Sequence, residues 1–276
     1  MTQQSGTTPP GNPEQPEEQS QLMEQSNKPV KSAKLSKPAK NLYEPYDTPM
    51  WFYRTLRSIA RFIYFLKLNV RVAGLENVPK EGAFIIASNH LSWMDVPLVP
   101  SFIKRKVVYM AKEELFYGKV GWIVRLLGAF PVKRGEADRQ SLRAAETQLK
   151  AGKIFMIFPE GTRSKMHQLG KGHVGLGMIA LRAGVPVVPV AVWGSEYTFK
   201  KLRPRVTISY GKPILLTPRG KKITREDIED ATNEVMRHIA VMMPPEYRGM
   251  YGDLLLKDEG DRKGPHPSTQ PPPPLL

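Results

Sequence analysis

The sequence contains no cysteine and no long uninterrupted run of apolar residues. Without cysteine the chain can form no disulfide and no thiolate metal site, and it has no cysteine nucleophile, which fits a reducing compartment. A membrane-spanning helix needs about 18–20 predominantly apolar residues, whereas the longest such run near the amino terminus covers only residues 62–66. Residues 1–11 also lack the pattern of a secretory signal, so we expect neither secretion nor a spanning helix.

Acidic residues are scarce in the central part of the chain. The whole sequence has a net charge of +15. Residues 1–49 and residues 253–276 each carry a net charge of −1, so the segment between them carries +17. A basic folded body, as opposed to a basic tail, predicts anionic partners such as phosphate groups, an anionic membrane surface or nucleic acid.

Both ends of the chain have the composition of disordered tails. Residues 1–40 are rich in Gln, Pro, Glu, Ser and Lys, and residues 253–276 end in a proline run followed by two leucines. Such segments cannot bury enough apolar surface to offset the entropy lost on ordering. We therefore expect the folded part to lie between them.

The first ordered element is an amphipathic helix predicted over residues 49–69. One face of it is apolar at helical spacing, and Arg54, Arg57 and Arg61 group on another face. Two interpretations follow: the helix packs on its own domain, or it lies at a membrane interface with its arginines on lipid phosphates. Both can hold at different points along it. The predicted apolar face consists of Phe52, Leu56, Ile59, Ile63, Leu66 and Val70.

From residue 70 onward, short apolar segments alternate with helical segments. This alternation predicts an α/β fold with a single mostly parallel sheet of about seven strands, helices on both faces, and the amphipathic helix in front. The loops that follow parallel strands gather at one edge of such a sheet. The predicted strands are 70–73, 83–88, 107–111, 130–132, 154–158, 187–192 and 206–210. The predicted helices are 93–102, 115–127, 137–151, 172–183 and 225–243, the last with Thr224 and Asp227 as a capping pair.

The first candidate for a functional site follows the second predicted strand, where His90 precedes Asp95 by five residues. Five helical residues turn through about 500°, so the two side chains can meet only if His90 lies in the turn and Asp95 in the first helical turn. Ser92 and Asp95 have the spacing of a capping box, which predicts a helix that begins near Trp93. Asp95 alone can be a mere cap, but an imidazole oriented by a carboxylate is a general base for a hydroxyl.

Two further polar turns follow predicted strands, at residues 128–135 and 158–164. Arginine binds phosphate through two parallel hydrogen bonds, and a hydroxyl and an open glycine backbone suit the same ligand. Each basic residue alone can be a solvated surface charge. Together they predict an anion site, with these members: Lys112, Lys133, Arg134, Arg139, Gly161, Thr162, Arg163 and Lys171.

In this order the motifs resemble the four sequence blocks of the lysophosphatidic acid acyltransferases, the 1-acyl-glycerol-3-phosphate acyltransferases. The resemblance covers residues 70–212, roughly half of the chain. The second block departs from the family pattern at Pro131 and Lys133, where bulkier or differently charged residues often sit. The four blocks are Asn89–Asp95, Gly128–Arg134, Phe158–Ser164 and Val185–Val190.

The resemblance implies an O-acyltransferase of phospholipid biosynthesis. Such an enzyme moves a fatty acyl group from acyl-CoA or acyl carrier protein to the free hydroxyl of 1-acylglycerol 3-phosphate and gives phosphatidic acid. It implies no metal and no cofactor other than the acyl co-substrate. The partners would be a lysophospholipid, the acyl donor and an anionic membrane surface, with acyl carrier protein as a further candidate and no nucleic acid. We therefore expect a peripheral protein on the cytoplasmic face of a membrane.

The resemblance also implies roles for individual residues. His90, oriented by Asp95, would remove the proton of the acceptor hydroxyl. The 70–252 segment would be the acyltransferase domain. The 49–69 helix lies outside the resemblance, and its amphipathic pattern predicts a membrane-interface helix. The predicted phosphate site consists of Lys112, Arg134, Glu160, Gly161, Thr162 and Arg163.

Several alternatives stay open at this point. The same blocks would serve glycerol 3-phosphate, or a lysolipid with an amino-acid head group, as the acceptor. Ser88 or Ser92 could act as a nucleophile, although neither lies in the Gly-x-Ser-x-Gly turn of serine hydrolases. A non-catalytic lipid binder at the membrane surface would have no need of His90 and Asp95. A nucleic-acid binder would need a reading module, and no such module is recognisable in the sequence.

Overall fold

The computed structural model describes residues 48–117, 121–132 and 139–252. The two predicted tails, residues 1–40 and 253–276, and the predicted site residue Arg134 lie outside the described residues. The strands are β1 Asn69–Ala73, β2 Phe84–Ser88, β3 Val107–Lys112, β4 Ala129–Val132, β5 Ile154–Ile157, β6 Val187–Trp193 and β7 Arg205–Tyr210. The α-helices are α1 Met50–Lys67, α2 Asp95–Ser101, α3 Gly121–Leu126, α4 Arg139–Lys150, α5 Gly175–Ala183 and α6 Arg225–Met242.

The strands form one seven-stranded sheet in the order β1-β7-β6-β2-β5-β3-β4. Strands β2 to β6 all run in the same direction. Strand β7 is antiparallel to β6, and β1 is parallel to β7. The prediction of a mostly parallel sheet of about seven strands is confirmed, and each predicted strand lies within a residue or two of an observed one.

The core has two layers because successive residues of a strand point to opposite faces of the sheet. Ile85 and Ala87 of β2 pack in the cluster that contains α4, α5 and α6. Phe84 and Ile86 pack in the other cluster, with α1 and α2. Helices therefore cover both faces, and β2 is buried along its whole length.

Two predicted helices differ from the observed ones in an informative way. The predicted helix over 115–127 is wrong as a single element, because Tyr117 has an extended backbone that ends a short 3-10 helix at Glu113–Phe116. The α-helix α3 begins only at Gly121. A Cβ atom at Gly121 would lie 2.2 Å from the carbonyl oxygen of Phe116, so the chain turns back on itself there. Helix α5 likewise begins at Gly175, three residues later than predicted, and ends as predicted at the left-handed Gly184.

Helix α1 packs on the domain through a different face from the predicted one. Its buried side chains are Tyr53 and Tyr64, whereas the predicted Ile59, Ile63 and Leu66 are 52%, 47% and 53% exposed. Neighbouring positions on a helix differ by about 100°, so the contact face is rotated by one residue from the most apolar one. The most apolar face of the helix is left without a partner among the described residues. In the part of the chain that the structure describes, every helix is too short or too polar to cross a bilayer.

The three arginines of α1 do not form one free cluster. The Arg57 guanidinium faces the domain, where Nη1 donates to the carbonyl oxygen of Ile103 at 2.5 Å. The Arg61 guanidinium lies 5.4 Å from the ring centroid of Phe102, a cation–π contact with the same connection. Only Arg54 projects from an exposed position without a described contact of this kind. Arg57 therefore packs on the domain, as one of the two interpretations expected for this helix, and the contact of its arginines with lipid phosphates stays a prediction.

Helices α5 and α6 make their closest approach at Gly177. The Gly177 N–H donates to Oγ1 of Thr232 at 3.2 Å. A Cβ atom at position 177 would lie 2.2 Å from the carbonyl oxygen of Ile228 and 2.7 Å from the same hydroxyl. Contacts this short cannot be relieved by a side-chain rotation, because one of them is with backbone.

Replacing Gly177 by Ala is expected to lower the free energy of unfolding by about 2 kcal/mol or more, because α5 and α6 must separate. For a domain of this size the melting temperature falls by about 4–8 °C. Gly175 in the same helix is the matched control, since its added Cβ would meet only Leu142 at 3.9 Å. Gly175→Ala is expected to be neutral or slightly stabilising. Equal melting temperatures for the two variants would show that the helices do not meet as described.

Candidate active site

Strands β2, β5 and β6 end at the same edge of the sheet. The register pairs Ala87 with Ile157 and Ser88 with Val190, so the segments that follow these strands emerge side by side. The predicted motifs at 89–95 and 158–164 are two of these segments. The carboxyl edge of the sheet is where an open α/β fold places its ligands.

The first segment is organised by the buried carboxylate of Asp95. Its Oδ2 accepts hydrogen bonds from the backbone N–H groups of Leu91 and Ser92, both at 2.7 Å, and contacts Nδ1 of His90 at 3.1 Å. Helix α2 begins at Asp95 itself and not near Trp93. The capping box is therefore incomplete, since the Ser92 hydroxyl accepts from the Met94 N–H at 3.3 Å and not from that of Asp95.

His90 lies in the turn, where its ring contacts Asp95 and Phe158. Its side chain is 9% exposed, and its ring stacks on Phe158 with 4.1 Å between the ring centroids. Because a carboxylate can only accept, Nδ1 must carry the hydrogen in the contact with Asp95, which leaves the lone pair on Nε2. The predicted contact between the two side chains is confirmed. A neutral imidazole in this tautomer can take a proton at Nε2.

Glu160 ties the third motif to the first. Its carboxylate accepts from the backbone N–H of His90 through Oε1 and from that of Gly170 through Oε2, both at 2.9 Å. The residue is 6% exposed. Burial raises the pKa of the Glu160 carboxyl, while the N–H groups of Gly170 and His90 act in the opposite direction. The Ser164 N–H donates to the carbonyl oxygen of His90 at 2.8 Å, so both polar groups of the His90 backbone are bound by this motif.

The other residues of the third motif are exposed at the same edge. The Arg163 guanidinium lies 4.3 Å from the ring centroid of Trp93, which itself is 54% exposed. Gly161 has a left-handed backbone with φ of 66°, and a Cβ atom there would come within 3.0 Å of the His173 ring. Thr162 is exposed between these two residues. The structure thus brings Arg163 to the turn that carries His90, through a contact with Trp93 that was not predicted.

The remaining members of the predicted anion site are distributed as follows. Lys112 ends β3 at the same edge, where its ammonium lies 2.8 Å from the carboxylate of Glu114. Lys171 is exposed in the segment before α5. Lys133 and Arg134 lie outside the described residues, so the predicted convergence of Arg134 and Arg163 stays a prediction.

Asn89 has a structural role that was not predicted from the sequence. Its side-chain amide is fully buried and binds the backbone of Val192 twice: Nδ2 donates to the carbonyl oxygen and Oδ1 accepts from the N–H, both at 2.7 Å. The amide thus continues the pairing of β2 with β6 beyond the end of the strand. The sequence signal for this role is an asparagine that directly follows an apolar strand and directly precedes a histidine.

An apolar groove lies between α1 and α2, and part of its lining directly follows Asp95 in the chain. Val96 and Pro97 line it from the residues directly after Asp95, and Leu56 and Ala60 line it from α1. Tyr109 of β3 is among the residues at its base. Burial raises the pKa of the Tyr109 hydroxyl, so this phenol stays neutral and the groove is uncharged on that side.

Comparison with known proteins identifies the class of protein. Residues 69–193 match the Acyltransferase family. The 1-acyl-sn-glycerol-3-phosphate acyltransferase of Bacillus subtilis is 34% identical over 168 residues, which are 59% of this chain and 82% of that protein. The lyso-ornithine lipid O-acyltransferase of Pseudomonas aeruginosa is 34% identical over 148 residues, 52% of this chain and 55% of that protein.

A solved structure shares the fold. The 1-acyl-sn-glycerophosphate (LPA) acyltransferase PlsC of Thermotoga maritima superposes with a TM-score of 0.55 at 32% identity, over 67% of this chain and 76% of that chain. The fold and the matched segment are those of an acyltransferase. The chain belongs to the 1-acylglycerol-3-phosphate acyltransferase family, as the four sequence blocks indicate, and it is an O-acyltransferase of phospholipid synthesis.

Replacing Glu160 by Gln tests the direction of its pKa shift. A protonated carboxyl group and an amide each offer one acceptor oxygen and one donor, so at acid pH we expect nearly equal free energies of unfolding for wild type and variant. Because burial raises the folded-state pKa of Glu160, wild type loses stability as the pH rises through that pKa, whereas the glutamine cannot ionise. The variant should therefore become more stable relative to wild type as the pH rises.

Urea unfolding at a series of pH values measures this difference, with the exposed Glu234 changed to Gln as the matched control. The control is expected to shift stability little at any pH. A Glu160→Gln variant that becomes less stable relative to wild type as the pH rises would contradict the assignment of a burial-raised pKa.

Proposed function

We propose that the protein transfers a fatty acyl group from acyl-CoA or acyl carrier protein to the free hydroxyl of 1-acylglycerol 3-phosphate, giving phosphatidic acid. The observation that carries the proposal is the contact of 3.1 Å between His90 Nδ1 and Asp95 Oδ2, which leaves Nε2 as the basic nitrogen. The family supports the same reaction class. The acyl donor and the acceptor are the parts of the proposal that await measurement.

In the proposed mechanism His90 Nε2 takes the proton from the acceptor hydroxyl as its oxygen attacks the thioester carbonyl. A carbon–oxygen bond forms, the tetrahedral intermediate collapses, and the carbon–sulfur bond breaks. The imidazolium then returns its proton to the leaving sulfur, so the histidine ends the cycle neutral. Asp95 stabilises the imidazolium while it exists and fixes its orientation. General-base catalysis of this kind contributes about 100- to 10,000-fold to the rate.

The acceptor phosphate is assigned to Arg163 and Arg134, with Thr162 and the open backbone at Gly161 beside them. Support comes from Arg163, whose guanidinium is exposed and lies over Trp93 in the turn that follows His90. Glu160 contributes by holding this turn and not by touching the phosphate, because both of its oxygens bind backbone N–H groups. Lys112 would add positive charge at the rim.

A second candidate acceptor is a lysolipid with an amino-acid head group. One relative, from Pseudomonas aeruginosa, is named a lyso-ornithine lipid O-acyltransferase. The basic character of the third motif favours a phosphate over a zwitterionic head group. Lysophosphatidic acid is therefore our first choice.

The acyl chain is assigned to the groove between α1 and α2. The groove begins with Val96, one residue beyond Asp95, and its walls are largely apolar. An acyl chain that entered the groove at Val96 and Pro97 would leave its thioester on the side of the groove where α2 begins. The fourth sequence block, Val185–Val190, lies mostly in β6, a buried central strand of the sheet.

The protein is further proposed to lie at a membrane surface through α1. The unpartnered face of this helix carries exposed Ile59, Phe62, Ile63, Phe65 and Leu66. Apolar side chains on one face of a helix bind at the boundary of head groups and acyl chains. A peripheral position on the cytoplasmic face would let the enzyme take its acceptor from the bilayer without extracting it into water.

Wild-type protein and a His90→Ala variant supplied with acyl-CoA and a panel of lysolipids test the reaction. We expect mass spectrometry to detect phosphatidic acid from wild type, with turnover lower by about 100-fold or more for His90→Ala, since the base is lost. Asp95→Asn keeps the size and one acceptor oxygen but removes the charge that stabilises the imidazolium, so it is also expected to lose turnover. A His90→Ala variant that keeps more than about a tenth of wild-type turnover would exclude His90 as the base.

Replacing Arg163 by Lys tests the phosphate assignment. The charge remains but the two parallel hydrogen bonds of a guanidinium are lost, so the KM for lysophosphatidic acid is expected to rise by about tenfold while the KM for the acyl donor changes little. Lys165→Arg, a change at an exposed neighbour, is the control. Equal increases in both KM values, or an increase for the donor alone, would remove Arg163 from the acceptor site.

A further inference from the structure

The connection from β6 to β7, residues 194–204, carries an exposed surface that the reaction does not use. Phe199 and Leu202 are 79% and 95% exposed, values that are unusual for side chains of this size. Lys200, Lys201 and Arg203 stand beside them. From residue 197 to residue 225 the sequence contains no acidic residue. Apart from the buried Glu196, the charged residues of the connection are all basic, and they lie beside exposed apolar ones.

This connection leaves the sheet at the edge that holds His90. Strand β6 runs parallel to β2, with Val190 opposite Ser88, so both strands end at the carboxyl edge. The Asn89 amide binds the backbone of Val192, one residue before the end of β6. The exposed residues of the connection therefore project from the same side of the domain as the turn with His90.

The far end of the connection is fixed to α1. Nη2 of Arg203 donates to the carbonyl oxygen of Phe65 at 3.4 Å, in the last turn of the helix, where a cation also complements the helix dipole. The Asn69 N–H donates to the carbonyl oxygen of Pro204 at 2.9 Å. Arg203 has a positive φ of 47°, a conformation that arginine adopts only where its surroundings require it.

These contacts make two exposed apolar surfaces continuous. Phe65 and Leu66 at the end of α1 are 69% and 53% exposed, and Phe65 itself holds the residue that follows Leu202. Together, the end of α1 and the connection present large exposed apolar side chains, and the connection adds basic ones. An anionic lipid bilayer complements both features, because its acyl chains accept the apolar residues and its head groups the basic ones.

We propose that the β6–β7 connection is a second membrane contact, with Phe199 and Leu202 inserted at the head-group boundary of an anionic bilayer and Lys200 and Lys201 on its phosphates. The connection and the end of α1 then hold the His90 edge against the surface in one orientation. The proposal rests on the proposed function in that the acceptor is a membrane lipid. Acyl carrier protein, an acidic partner, fits the basic residues but does not account for a leucine and a phenylalanine continuous with the apolar face of α1.

The test is co-sedimentation of the full-length protein with phosphatidylcholine vesicles, with and without phosphatidylglycerol. Phe199→Ser/Leu202→Ser is expected to weaken binding to both vesicles by about tenfold. Lys200→Glu/Lys201→Glu is expected to weaken binding by about tenfold or more only where phosphatidylglycerol is present, and only at low salt. Phe62→Ser/Phe65→Ser in α1 reports separately on the contact assigned to the helix.

Matched controls lie at the opposite edge of the sheet, in the connection from β7 to α6. Leu215→Ser removes an apolar side chain that is 60% exposed, and Lys221→Glu/Lys222→Glu makes the same change in net charge at two exposed lysines. Both are expected to bind vesicles as wild type does. Thermal unfolding of every variant checks that the domain is intact.

An activity ratio separates this proposal from the proposed function. The ratio compares turnover on an acceptor embedded in anionic vesicles with turnover on a short-chain acceptor below its micelle concentration. In the connection variants we expect this ratio to fall by the same factor as vesicle binding. Weakened binding by a protein that shows no acyl transfer would leave the contact supported and overturn only the proposed function. Vesicle binding equal to wild type in both connection variants overturns the contact. Loss of transfer from acyl carrier protein, with vesicle binding intact, also overturns it and assigns the surface to the carrier.

Discussion

A single carboxylate oxygen, Oδ2 of Asp95, accepts the hydrogen bonds on which the site depends. It binds two backbone N–H groups of the turn after β2 and the imidazole of His90. Hydrogen bonds to a charged group contribute about 1.5–3 kcal/mol each, and together they offset the cost of an aspartate with no exposed surface. The other oxygen, Oδ1, is buried without a hydrogen-bond partner among the described residues. Because the electrostatic interaction is strong in the buried interior, this carboxylate stabilises a positive charge on the adjacent imidazole.

Two further polar side chains connect the turn after β2 to the neighbouring strands. Asn89 fastens the turn to β6, and Glu160 fastens it to the segment after β5. The side chains of Asp95, Asn89 and Glu160 are all buried, and each of them makes hydrogen bonds with backbone groups. Such connected networks specify one arrangement of the loops, because every unsatisfied member would carry a penalty of about 1–3 kcal/mol. The site is thereby built on the ends of strands that are themselves fixed in the core.

The strands and the His90–Asp95 contact could be predicted because their signals are local. Each strand is a short apolar run, and the contact follows from a spacing that only a turn followed by a helix can accommodate. The face of α1 that packs on the domain could not be predicted from the sequence of the helix alone. Its most apolar line, through Ile59 and Ile63, is exposed, while Tyr53 and Tyr64 are buried. Which face packs is decided by the partner surface, here the end of α2 with Phe102 and Ile103, and that surface is not visible in the helix pattern.

The same limit applies within the site. The glutamate of the third motif seemed suited to shape a phosphate pocket, yet its oxygens bind the backbone of His90 and Gly170. Trp93 received no role, although Arg163 lies over its ring. Both features depend on contacts between segments about 70 residues apart, such as that of His90 with Glu160. A spacing rule describes one segment and carries no information about which other segment will lie against it.

The pairing of β1 with β7 sets an order on folding. Asn69 lies beside Arg205 in the sheet, so β1 has no strand partner until most of the domain has left the ribosome. Contacts so distant in sequence form late, because the loop between them must close first. Helix α1 enters the domain through β1 and is synthesised before any surface that it packs on. During synthesis it is therefore an independent amphipathic segment, able to meet a lipid surface before the catalytic domain behind it exists.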